Sequence, residues 1–296
     1  MYGKAAREST WTRTHNQAVY REARELEVSG DREGALRLYL EIAESDPDGE
    51  MASRCLYYAG RMAWEDGDLE TALSRLRRVI EEYPHKGLAP QAVRRAVQWS
   101  TERHGSDKAI EFLREMEPRV EGTDVHDTLL YRWALLEEEA GRWERALELL
   151  ERLARLYPRP RSTIYDDAMW RAANIALDHR EPRRALTYLQ DLVSWREDSI
   201  ATGSYYTPWT GEAQLLIGRI YLEHLDEPDA AVRAFEELAT FPDTRFADDG
   251  LWWAFRAHLA QGDRRQGCGA LRRLLEQFPH SSYYRRAQES HAEQGC

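Results

Sequence analysis

The sequence predicts an all-α solenoid of about seven helical hairpins, closed by a C-terminal capping helix. Three observations predict it. A small residue is followed four positions later by a large apolar or aromatic one at Ala35/Tyr39, Ala72/Leu76, Ala109/Leu113, Ala146/Leu150, Ala185/Leu189, Ala231/Phe235 and Gly267/Leu271. The first four alanines stand 37 residues apart, and the later steps are 39, 46 and 36. Glycine turn signals precede four of these small residues and a proline follows five of them, in phase. A period of this length marks small supersecondary units stacked in one dimension.

Taken in order, residues 1–14 read as an N-terminal tail and five hairpins occupy 15–195. The first two turn at Gly30-Asp31 and Gly67-Asp68, the third near Gly105, the fourth at Gly141-Arg142 and the fifth near Arg180. Glycine ends a first helix because it enters the left-handed region without a Cβ penalty. Proline closes the second helix at Pro47, Pro84, Pro158 and Pro279, each 12 residues after its small residue, and at Pro242 one residue sooner. Proline cannot continue a helix and biases its predecessor away from the α region.

An insert at 196–210 interrupts the array and accounts for the long step from Ala185 to Ala231. Its Gly203-Ser204-Tyr205-Tyr206-Thr207-Pro208-Trp209 mixes aromatics with helix breakers, a composition that favours a packed or binding loop. Hairpins six and seven fill 211–281, turning near Asp226 and at Gly262-Asp263. Residues 282–296 form the capping helix and tail. Arg285, Arg286, Gln288, Glu289 and Glu293 give that helix the wet face a cap requires. In each hairpin the small residue lets two helices approach closely. The larger residue one turn later lies on the same face and fills the space between hairpins.

These residues resemble the tetratricopeptide family. Ile217-Gly218-Arg219-Ile220-Tyr221 looks like its Leu-Gly-x-x-Tyr element, followed by Ala231, Phe235 and Pro242, and Gly60, Ala72, Leu76 and Pro84 match likewise. The resemblance covers about residues 15 to 294 and implies a right-handed superhelix whose business is binding other polypeptides. A narrower resemblance lies in Tyr157-Pro158…Tyr165-Asp166-Asp167-Ala168, Phe241-Pro242…Phe246-Ala247-Asp248-Asp249 and Phe278-Pro279-His280-Ser281-Ser282-Tyr283. These look like the joints of bacterial envelope proteins of the outer-membrane-assembly lipoprotein and Tol–Pal coordinator types. The joint at Tyr83-Pro84 departs from that pattern, and no lipidated N-terminal cysteine is present.

Composition bounds the function. Hydrophobic residues are 42% of the 296, enough for a continuous core, and charged residues are 31%, enough to cover exposed helix faces. A formal net charge of −11 speaks against a nucleic-acid binder, whose affinity rests on Lys and Arg displacing counterions. No apolar run approaches a membrane span. The opening MYGKAAREST lacks a signal-peptide core, so the chain is cytoplasmic or has lost a leader that directed it to the periplasm or cell envelope. Cys55, Cys268 and Cys296 are too sparse for a disulfide framework. Cys55 and Cys268 read as buried free thiols, and Cys296 as an exposed chain end.

No catalytic signature appears. Asp166-Asp167 and Asp248-Asp249 fall in phase in the first turn of a helix, where negative charge meets the positive end of the dipole. The nine histidines show no metal-ligand spacing, and no nucleophile elbow, P-loop or dinucleotide turn occurs. Lytic transglycosylases use helical superhelices, but they need a catalytic domain for which the repeats leave no room. No catalytic residue, metal or cofactor is expected.

The candidate site is a groove. Two positions per repeat, which the family geometry places on the concave face, read Tyr20, Tyr57, Arg94, Tyr131, Trp170, Leu215, Trp252 and Arg24, Arg61, Gln98, Leu135, Asn174, Arg219, Arg256. The partner-binding candidates are Tyr20, Arg24, Tyr57, Arg61, Tyr131, Trp170, Asn174, Arg219, Trp252 and Arg256, with Tyr205, Tyr206 and Trp209 of the insert closing one side. Tyr and Trp give anchoring area and Arg gives charged or stacking contacts. Packing between adjacent first helices would use the same aromatics. Only Asn174 hints at the Lys/Asn clamp that some family members use for C-terminal carboxylates. The chain therefore reads as a non-catalytic scaffold that holds protein or peptide partners, within a bacterial and possibly envelope assembly. An accessory subunit of a cell-wall or polysaccharide enzyme, touching glycan through its aromatic groove, is the alternative.

Overall fold

The computed structural model describes residues 2–49, 51–194, 208–240 and 244–296; among them fifteen α-helices and no strand occur. Two compact units form, Met1–Arg152 and Leu153–Cys296.

The first unit holds α1 (Tyr2–Ser29), α2 (Arg32–Ser45), α3 (Ala52–Glu65), α4 (Leu69–Glu82), α5 (Ala89–His104), α6 (Ser106–Val120), α7 (His126–Glu139) and the start of α8 (Trp143–Leu156). Helix α1 begins at Tyr2 and so runs through residues 2–14, the stretch expected as a tail. Each turn between paired helices sits at a glycine with positive φ: Gly30 at 94°, Gly67 at 83°, Gly105 at 87° and Gly141 at 75°. Two of the following helices start on an aspartate cap. Asp31 accepts from the Gly34 amide at 2.9 Å and Asp68 from the Thr71 amide at 3.0 Å, each satisfying an N–H that the helix itself leaves unpaired. Consecutive helices from α1 to α7 pack on one another, and α3–α5, α4–α6 and α5–α7 touch as next-but-one neighbours. That is the contact pattern of stacked hairpins.

The second unit holds the end of α8, α9 (Tyr165–Asp178), α10 (Pro182–Ser194), α11 (Thr210–Arg219), α12 (Pro228–Ala239), α13 (Ala247–Ala260), α14 (Arg264–Gln277) and α15 (Tyr284–Glu293). Helix α11 ends in a π-helical turn, Ile220–His224, and a 3-10 turn, Thr244–Phe246, leads into α13. Here two turns dispense with glycine: Arg180 and Asp226 take φ of 62° and 53°. Within the insert, Tyr205 and Tyr206 lie outside the described residues, as do Phe241 and Pro242 of the second joint.

The phase read from the sequence is the phase of the core. Ala35, Ala72, Ala109, Ala146, Ala185 and Ala231 are fully buried, as are Tyr39, Leu76, Leu113, Leu150, Leu189, Phe235 and Leu271. Glycine is required at one interface of the second unit. A Cβ on Gly250 of α13 would stand 2.6 Å from the Ala239 amide nitrogen and 2.9 Å from the Phe235 carbonyl oxygen, both backbone atoms of α12.

The cysteine reading needs correction. Cys268, expected as a free thiol, and Cys296, expected as an unpaired chain end, form a disulfide with Cα atoms 5.4 Å apart. The chain between them, a sequence separation of 28, runs through the rest of α14 and α15, so the fold returns the chain end to α14. Sparse spacing conceals a pair of this kind because the bridging distance is set by helix packing. Cys55 is free and fully buried, and burial pushes its thiol up to about 12.

Candidate functional site

In the first unit, α1 brings Tyr20 and Arg24 against α3. The Tyr20 ring lies 6.0 Å from Tyr39 and 6.2 Å from Tyr58. Arg24 and Arg61 both stand over the Tyr58 ring, at 4.8 and 5.0 Å. Glu27 bridges them: it accepts from Arg24, from Arg61 and, at 2.9 Å, from the Tyr39 hydroxyl. Burial raises the Tyr39 phenol. Tyr57 touches Tyr58 edge-on at 5.7 Å and turns toward α5, while Tyr131 is half-buried on α7.

The second unit repeats this device. Arg219 and Arg256 stand over the Trp253 ring, at 5.1 and 4.4 Å. Glu223 takes both arginines, with Arg219 at 3.0 Å and Arg256 at 3.8 Å. Trp252 stacks on Tyr283 at 5.4 Å, and Trp170 stacks on Trp209 at 4.8 Å with the rings 5° from parallel. The Trp209 indole donates to Asp167 at 2.8 Å, so the described end of the insert is tied to α9. Asn174 donates to the Trp170 carbonyl at 2.7 Å within its own helix.

The structure thus gathers the named side chains into local groups whose arginines already have carboxylate and aromatic partners. Sequence reasoning missed the residues at the centre of each group, Tyr58 and Trp253. The signal was present: both lie one position after a candidate aromatic, and Glu27 and Glu223 follow Arg24 and Arg219 at helical spacing.

The joints show what their aspartates do. Asp248 accepts from the Ser281 hydroxyl at 2.6 Å and Asp249 from the Tyr283 hydroxyl at 2.8 Å. Asp166 pairs with Arg159 at 2.5 Å, and Tyr165 donates to Asp191 at 2.8 Å. Ser162 and Ser281 each accept from the amide two residues on, at 3.1 Å. These bonds couple successive hairpins of the second unit, and burial raises Asp249. Among the described residues no cluster of His, Cys, Asp and Glu could hold a metal ion.

One open cavity stands apart from these satisfied groups. It has a volume of about 580 Å³ and lies in the first unit, lined from α3 by Tyr57, from α5 by Arg94, Gln98 and Thr101, and from α7 by Arg132 and Leu136. All three are first helices of their hairpins, so the cavity lies along the face on which Tyr57 and two further groove positions, Arg94 and Gln98, were expected.

Models of the tetratricopeptide repeat match residues 20–86, and again 128–159, 212–244 and 251–281. No curated protein sequence matches the chain. Among solved structures it is similar to the C-terminal part of a TPR repeat-containing protein of Cytophaga hutchinsonii, at 11% identity and TM-score 0.53, over 90% of this chain and 98% of that one. It is also similar to PilF of Pseudomonas aeruginosa, at 13% identity and TM-score 0.39, over 94% and 99%. A third similar structure, YrrB, is described as a TPR protein with an unusual peptide-binding site; the figures are 14% identity, TM-score 0.45, and 72% and 97% coverage. The repeat models together span more than half of the residues and the helices follow their phase, so the chain belongs to the tetratricopeptide-repeat family.

Proposed function

We propose that the chain is a non-catalytic adaptor that holds a partner polypeptide against the first-helix face of its repeats. The observation that carries this reading is the cavity of α3, α5 and α7, which is open, mixed in polarity and framed by rigid helices. A peptide needs an anchoring aromatic, hydrogen-bonding groups and a positioned charge, and Tyr57, Gln98 and the arginines supply these. Tyr20, Arg24, Arg61 and Tyr131 in the first unit, and Trp170, Asn174, Arg219, Trp252, Arg256 and Trp209 in the second, are proposed as flanking contact surface. Their internal pairing makes them stiff, which lowers the ordering cost of an interface.

The Cys268–Cys296 disulfide favours an oxidising compartment, because such bonds persist outside reducing cytosol. A bacterial envelope assembly fits that preference and the joint residues described above.

The test is site-specific photo-crosslinking in the native organism. A photoreactive residue at Gln98 should capture the partner, whereas one at Ser74, on an exposed position of α4, should not. Capture from Ser74 with none from Gln98 would move recognition to the opposite face and end this reading.

A further inference from the structure

Helix α14 departs from the other second helices in its charge. Residues 264–286 carry six arginines and one glutamate, in a chain whose formal net charge is −11. Four of the six, Arg264, Arg265, Arg272 and Arg273, are exposed on α14. At about 100° per residue they fall on the half of the helix away from its buried Gly267, Ala270, Leu271 and Leu274. Second helices earlier in the chain pair such cations with a neighbouring hairpin: Arg77 with Glu115, Arg119 with Glu81, Arg152 with Glu117 and Arg183 with Glu227. Among the described residues none of the four on α14 makes an ion pair. Between the two arginine pairs the face is open, since a Cβ on Gly269 would meet nothing within 4 Å.

A matching surface lies on α2. Its outer stripe forms a shallow cleft of about 560 Å³, lined by Glu33, Leu36, Arg37, Leu40, Glu41 and Glu44. The two leucines are half-buried and the three glutamates are exposed. Among the described residues none of these carboxylates has an ion-pair partner. Glu33 and Glu41 stand eight residues apart, as do Arg264 and Arg272, and Arg265 and Arg273. Eight residues of helix span about 12 Å. Laid antiparallel, the two helices set Glu41 against Arg264 and Arg265, and Glu33 against Arg272 and Arg273. Arg37 then falls opposite Gly269, which has no side chain to repel it, and Leu36 and Leu40 close on the same gap. Glu276 passes beyond Glu33. A parallel alignment would bring Glu44 against Glu276, a like-charge contact.

We infer that the α14 face of one molecule docks on the α2 face of another, so that the chain associates with itself. A second copy is the occupant because this chain carries the complementary charges at the complementary spacing. Such a contact is heterologous, each copy offering one face and accepting with the other. Exposed ion pairs are individually weak and one helix on another buries little, so the association is transient, with a Kd of about 10 μM to 1 mM. The net negative charge of both copies does not oppose it, because at physiological salt screening acts over about 8 Å and the facing charges dominate. Both faces belong to second helices, so the contact is independent of the first-helix face assigned to a partner polypeptide.

Sedimentation velocity of the full, oxidised chain is the test. In about 0.1 M NaCl the weight-average mass should rise above the monomer between about 10 μM and 1 mM, and about 0.5 M NaCl should weaken the association several-fold. Arg272→Glu with Arg273→Glu should weaken it about tenfold or more, and so should Glu33→Arg with Glu41→Arg. Each pair reverses one face and leaves like charges opposed. Mixing the two variants should restore association, because each then meets an opposite face. Arg103→Glu with Arg233→Glu, at exposed positions of α5 and α12, changes the net charge as much as the first pair and should leave association intact. A chain still monomeric at about 1 mM overturns the proposal. So does association undiminished in either reversed variant, a mixture no better than its parts, or an equal loss in the Arg103 and Arg233 control. Should Arg272→Glu with Arg273→Glu fail to fold, the Glu33→Arg and Glu41→Arg variant decides by the same loss.

Discussion

At the scale of single residues, absent side chains are as decisive as present ones. Gly250 is the contact point of α12 and α13, where a methyl group would meet backbone that has no rotamer to give. Gly250→Ala should therefore cost about 1–3 kcal/mol by overpacking, read as a lower urea midpoint with an unchanged m-value. Gly269 of α14 is the control, because nothing stands within 4 Å of its added Cβ and its backbone is helical. Gly269→Ala should stabilise by about 0.5–1 kcal/mol through helix propensity alone. Equal effects at the two sites would show that the α12–α13 contact yields. Cys55 gives a second reading of the core. Its buried thiol, pushed up to about 12, should resist alkylation in the native protein and react only at the rate of unfolding. Prompt labelling at neutral pH would mean that α3 opens far more readily than its burial implies.

At the scale of elements, the joints and the terminal cap of the second unit hold the physical interest. Helix α15 buries little of its own, with Ala287 its fully buried residue, and is held by Tyr283, Ser281 and the disulfide. Closing the 28-residue loop should contribute about 3–4 kcal/mol by restricting the unfolded chain. Reduction, or the pair Cys268→Ser and Cys296→Ser, should speed hydrogen exchange across α15 while leaving α9 and α10 unchanged. Unchanged exchange in α15 would show that Tyr283 and Ser281 suffice.

The tyrosines of the joints make the second unit sensitive to alkali. Tyr165 and Tyr283 are each pushed from 10.0 to about 12, first by burial and then by donating to Asp191 and Asp249. A raised folded value means that the fold prefers the neutral phenol. The stabilisation is complete below pH 10 and is lost as pH rises toward 12. Replacing both tyrosines with Phe should flatten the loss of stability over that range, measured by urea unfolding at a series of pH values. A slope unchanged by the replacements would place the alkaline transition elsewhere.

At the scale of the whole molecule, nearest-neighbour packing governs behaviour. Within each unit, packing runs chiefly between helices adjacent in sequence, with next-but-one contacts at α3–α5, α4–α6, α5–α7 and α11–α13, as in stacked hairpins. Hydrogen exchange should find α1 and, after reduction, α15 opening before α4 and α5, whose Val79, Ile80, Ala92 and Val93 are fully buried. Uniform protection along the chain would contradict this.

The sequence by itself determined the repeat and its phase. The spacing of Ala35, Ala72, Ala109 and Ala146 follows from helix geometry, and the turns at Gly30, Gly67, Gly105, Gly141, Arg180, Asp226 and Gly262 all appear with positive φ. Such features are local, because a small residue, a turn former and a proline each act on their own few neighbours. The same phase puts aromatics and arginines at recurring positions of the first helices. Which of those arginines already have partners was decided only by the tertiary structure. Glu27 reaches Arg61 across 34 residues, and Cys296 returns to Cys268, through packing between helices that no spacing encodes. The same packing leaves the Nε of half-buried Arg132 shielded without a hydrogen-bond partner: its charge is written in the sequence, but what surrounds it is set by how the hairpins stack.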